Sequence, residues 1–86
     1  MTGTMSAAQA REIIDDVKKA VVGGANITPS LESKVQNALA ALRAVADVHQ
    51  AARAEHVSTR LFTMSQAKRN GLVNLYASQL RRLARI

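Results

Sequence analysis

Apolar residues recur along this chain at intervals of three and four, and nowhere at the interval of two that marks a strand. Gly3, Gly23, Gly24, Pro29 and Gly71 are its only glycines and proline, and they punctuate it into segments of helical period. Three helices are expected, at about 6–22, 29–57 and 59–85. In the first, Ser6 with Gln9 three residues on forms a capping box. Ala10, Ile13, Ile14, Val17 and Val21 make one apolar stripe, with Arg11, Glu12, Asp15, Lys18 and Lys19 turned away from it. Gly23 is the expected left-handed stop.

The second helix begins at Thr28 as N-cap with Pro29 at the first helical position. Its apolar seam steps by four and three through Leu31, Val35, Ala38, Leu42 and Val45, then weakens to His49, Ala52 and His56. Ser58 or Thr59, or Thr63 with Gln66, supplies the cap for a third helix. One unbroken helix from residue 29 to the end is rejected, because at 1.5 Å per residue it would run to about 86 Å with its seam uncovered. Asn70-Gly71 marks a second place where the last segment can divide.

The expected fold is therefore all-α: a small three-helix domain over residues 1–86, built as a long antiparallel hairpin with a shorter N-terminal helix packed on part of it. The uncovered end of that hairpin carries Ala46, His49, Ala52, Met64 and Ala67. This strip of mostly small residues is a candidate oligomer interface. Ala67 and Gly71 form a small-xxx-small pair suited to close helix packing.

Composition narrows the classes. Apolar residues make up 48% of the 86, enough for a packed core, but much of that is alanine and the aromatics are Phe62 and Tyr76 alone. Both aromatics are expected on the core side. Cysteine is absent, so disulfides and thiolate metal sites are excluded. No apolar run approaches the ~20 residues of a membrane-spanning helix, and Met1–Arg11 lacks a secretory layout. The expected setting is intracellular, in the cytoplasm or in a virion. Asn26-Ile27-Thr28 matches a glycosylation acceptor, but in that setting it reads as a loop leading into a helix cap.

Charge changes the picture most. Residues 1–55 hold six basic and six acidic side chains, whereas residues 56–86 hold Arg60, Lys68, Arg69, Arg81, Arg82 and Arg85 and no acid. The net charge of +6 lies entirely in that second part. Such uncompensated repulsion destabilises a compact state, so an anionic partner is expected to offset it. On one continuous helix, five of the six would share a face opposite Leu61, Leu72, Tyr76, Leu80 and Leu83, with Arg69 alone on the apolar side.

The chain carries no glycine-rich phosphate loop, no paired carboxylates in an apolar setting and no ligand cluster, so neither catalytic residues nor a cofactor are expected. His49, Arg53 and His56 share a helical face. The two histidines would lie about 10 Å apart along the helix, too far to hold one metal ion. They read first as histidines of the seam or the hairpin tip, and alternatively as part of the basic surface.

Glu55-His56-Val57-Ser58-Thr59-Arg60, followed by Lys68-Arg69 and Leu72-Val73-Asn74, resembles the hairpin tip of the ribosomal protein S15 family. That resemblance spans roughly a quarter of the chain, with Leu61 where the family has glycine and no counterpart for His49. It implies a turn between two long helices, shape recognition of an RNA junction, and RNA contacts from His56, Ser58, Arg60, Lys68 and Arg69.

The function expected from the residues themselves is non-enzymatic binding of nucleic-acid backbone without sequence preference, through Arg53, Arg60, Lys68, Arg69, Arg81, Arg82 and Arg85. The alternative is an oligomerising structural or adaptor protein that works through helix–helix contacts.

Overall fold

The computed structural model describes residues 5–86, and the reading of Gly3 as punctuation lies outside them. The described chain is all-α, with four helices where three were expected: α1 (Ala7–Val22), α2 (Pro29–Ala44), α3 (Val48–Arg69) and α4 (Val73–Arg85). Consecutive helices run antiparallel and pack on each other, and α1 closes against α4. The result is an up-down-up-down bundle with short connections, 41 × 25 × 18 Å along its principal axes.

The expected starts of the first two helices are borne out. The Gln9 N–H donates to Ser6 Oγ at 3.1 Å while the Ser6 N–H donates to Gln9 Oε1 at 2.9 Å, which completes the capping box. Thr28 Oγ1 accepts from the Leu31 N–H at 3.2 Å, ahead of Pro29 at N1.

The helix ends share one device. After α1, the N–H of Ala25 bonds to the carbonyl of Ala20 and that of Gly24 to Val21. After α2, Asp47 bonds to Leu42 and Ala46 to Arg43. After α3, Leu72 bonds to Ala67 and Gly71 to Lys68. Each is a Schellman motif, which needs a left-handed residue at its second-last position. Gly24 (φ 105°), Ala46 (φ 57°) and Gly71 (φ 70°) fill it. The left-handed stop of α1 is thus Gly24, since Gly23 has φ −78°.

Two boundaries correct the expected ones. The second helix ends at Ala44 and not near Val57, because Ala46 accepts the left-handed conformation and Asp47 caps the next helix, taking the Gln50 N–H on Oδ1 at 3.3 Å. Ser58, Thr59 and Thr63 start nothing: they lie inside α3, where the Thr63 hydroxyl donates to the Thr59 carbonyl one turn back. The expected third helix divides at Asn70–Leu72, the place that Asn70-Gly71 offered in the sequence.

The core follows from where each helix turns its apolar face. Ala10, Ile14, Val17 and Val21 of α1 meet Val35, Ala38, Leu39 and Leu42 of α2. Ala54, Val57, Leu61 and Met64 of α3 join them, and Leu83 comes from α4. Each large aliphatic buried here contributes roughly 1.5–3 kcal/mol. The heptad seam read through residue 56 stops at the break: Val45, His49, Ala52 and His56 are exposed, and α3 buries a different face.

Candidate nucleic-acid interface

The break at Asn70–Leu72 decides how the basic residues are arranged. On one continuous helix, Arg60 and Arg82 would lie about 33 Å apart. The chain instead folds back, and the guanidinium of Arg60 in α3 donates to Gln79 Oε1 in α4. Arg82 stands one turn beyond Gln79 on the same side of α4, and His56 one turn before Arg60 on α3. Arg81 and Arg85, spaced i,i+4, stand opposite the buried Leu83 and face solvent, as does Arg82. Arg60 and Arg82 therefore stand on the same side of the C-terminal half of α4, and Arg81 and Arg85 lie around that half on its solvent side. Lys68 and Arg69 are exposed at the other end of that helix, about 20 Å away. The six residues do not share one helical face.

Their electrostatic setting separates them from the other arginines. Arg11 pairs with Asp47 at 3.2 Å, Arg43 with Glu55 at 2.9 Å and Arg53 with Asp15 at 2.6 Å. Arg53, read from sequence as a nucleic-acid contact, is thus engaged by a carboxylate of α1. Among the described residues, Arg60, Lys68, Arg69, Arg81, Arg82 and Arg85 make no ion pair with a carboxylate. Arg60 and Lys68 have neutral partners, the side-chain oxygens of Gln79 and Asn26. The acid-free part of the sequence builds most of α3 and all of α4, so an asymmetry along the chain becomes an asymmetry between layers of the bundle.

Three further readings from sequence are corrected. Met64 and Ala67 are 0% exposed and belong to the core, so they do not form one open strip with the exposed Ala46, His49 and Ala52. Phe62 is 61% exposed on α3, beside a groove between α2 and α3, and not on the core side, whereas Tyr76 does pack against the core. Glu55–Arg60 lies within α3 and makes no turn, which removes the hairpin tip that the ribosomal resemblance required. Gln79, which sequence reasoning passed over, holds Arg60 in place, and its only signal was a polar residue one turn before Leu83 on the apolar face of α4.

Among the described residues, no group of three His, Cys, Asp or Glu side chains converges as a metal site, and no helix is long and apolar enough to cross a membrane. No protein-family model, curated protein or solved structure matches this chain.

Proposed function

We propose that the α3–α4 layer binds the phosphate backbone of nucleic acid, without sequence preference and without catalysis. One observation carries this reading: six basic side chains stand on two adjacent helices, none of them matched by a carboxylate, while the arginines elsewhere in the bundle are paired. Five of the six are arginines, whose planar guanidinium forks suit phosphate oxygens better than an ammonium does. Arg60 is already oriented by Gln79, so less side-chain freedom is lost when it meets a phosphate. Contacts to phosphate position a protein without reading bases.

The test is titration of duplex DNA and duplex RNA at several salt concentrations. Four to six phosphate contacts give a log K against log salt slope of about −4 to −5. Binding that ignores salt, or no binding at low salt, overturns the proposal.

A further inference from the structure

At one end of the bundle, α1 stops, α3 turns into α4, and an open cleft of about 410 Å³ remains between them. Its walls are Val21 of α1 and Leu72, Val73, Tyr76 and Leu80 around α4. Val73 is 75% exposed and Leu72 49%, and Val22, 40% exposed, continues the apolar edge from α1. These side chains leave an apolar edge uncovered at that end, and apolar surface of this kind marks a docking site.

The charges around the cleft select the occupant. Lys68 lines it, held at 2.9 Å by the neutral Asn26 side chain, and no carboxylate is among its lining residues. Lys18, one turn below Val21 and Val22 on α1, adds a second cation on the same flank. The first turn of α4 has neither a side-chain cap nor an acidic residue, so its free N–H groups add positive charge at the same place. A second copy of this chain fits poorly, because a two-fold contact through the cleft brings together two copies of the same cations, Lys68 and Lys18, and the cleft's lining residues supply no carboxylate between them.

We infer that this cleft docks an acidic amphipathic segment of a partner protein, its bulky apolar side chains seated between Tyr76, Leu80 and Val73 and its carboxylates against Lys68 and Lys18. The mode is helix-in-groove recognition. Lys68 is shared with the proposed phosphate-binding layer, but Arg81, Arg82 and Arg85 lie at the far half of α4, so replacing those three with Gln is expected to leave peptide binding unchanged.

The experiment uses the full chain, labelled with ¹⁵N, and two synthetic helical peptides: one with leucines on one face and glutamates beside them, and one with lysines in place of the glutamates. The Glu peptide is expected to shift amide signals of residues 21–26 and 67–80, with an affinity that falls as salt rises. Val73→Asp, at an exposed position that leaves the helix intact, is expected to weaken binding about tenfold, as for loss of one apolar anchor. Lys68→Glu is expected to reverse the preference toward the Lys peptide. Equal binding of both peptides by the native chain overturns the inference, as does absence of binding or shifts confined to other residues. Appearance of the same shifts on concentrating the chain alone, with a dimer mass by light scattering, overturns it in favour of self-association.

Discussion

Arg60 donates its hydrogen bond to Gln79, the one buried polar side chain among the described residues, and so ties the middle of α3 to the middle of α4. The bond works in two directions. It satisfies a carbonyl oxygen that is otherwise shut away from water, and it fixes one guanidinium beside the α4 arginines. Removing Arg60 leaves that oxygen without its donor at a cost of about 1–3 kcal/mol. Arg60→Ala is therefore expected to lower stability by that much in urea unfolding, while Arg82→Ala and Arg85→Ala stay within about 0.5 kcal/mol of the native chain. A result in which all three behave alike removes the structural role of Arg60.

The proposed interface separates from the paired arginines by substitution. Replacing Arg81, Arg82 and Arg85 together with Gln is expected to reduce the salt slope of nucleic-acid binding by about 3 and leave the helical circular-dichroism signal unchanged. Arg53→Gln is expected to leave the slope where it was, because Asp15 holds that guanidinium. A fall in slope on replacing Arg53 shows that its ion pair opens for the ligand.

Adjacent residues on α3 have opposite environments, which gives a test of the packing. Leu61 is buried and Phe62 is mostly exposed. Leu61→Ala is expected to cost about 2–5 kcal/mol, a large part of the stability of a chain this small, and Met64→Ala about the same. Phe62→Ala is expected to change stability by less than about 1 kcal/mol despite removing more atoms. Midpoints of chemical unfolding decide the order.

The left-handed turns give a matched pair. Ala46 holds φ 57° with a side chain, and Gly71 holds φ 70° without one, in open space. Ala46→Gly is expected to raise stability by about 0.5–1 kcal/mol and Gly71→Ala to lower it by about 1 kcal/mol, since the left-handed conformation is strained for an L-residue. Thermal midpoints moving in opposite directions meet this expectation, and equal signs do not.

The helical class and the first two helix starts were legible because their signals are local: apolar residues at a period of three to four, Ser6 with Gln9, Thr28 before Pro29. The α2–α3 break was not, because its left-handed residue is an alanine, and an alanine in sequence looks like the best helix former. The one available sign was Asp47 with Gln50 three residues on. Missing that break carried the heptad seam across it onto a face of α3 that points outward. Its consequences reached the candidate site, since Met64 and Ala67 fall in the core once α3 begins at Val48. The basic residues themselves were legible from charge alone. Their grouping was not, because it depends on the turn at Gly71 and on the long-range bond between Arg60 and Gln79.

On the proposed function, the separation of acids from uncompensated bases confines adhesion to one side of the molecule. With α3 and α4 along a polyanion, what points outward is the α1–α2 layer, where acids nearly match the bases: five basic side chains stand against four acidic ones. The proposed function therefore predicts that the protein lines a strand as a thin, one-molecule-deep sheath and does not gather several strands into a condensed mass.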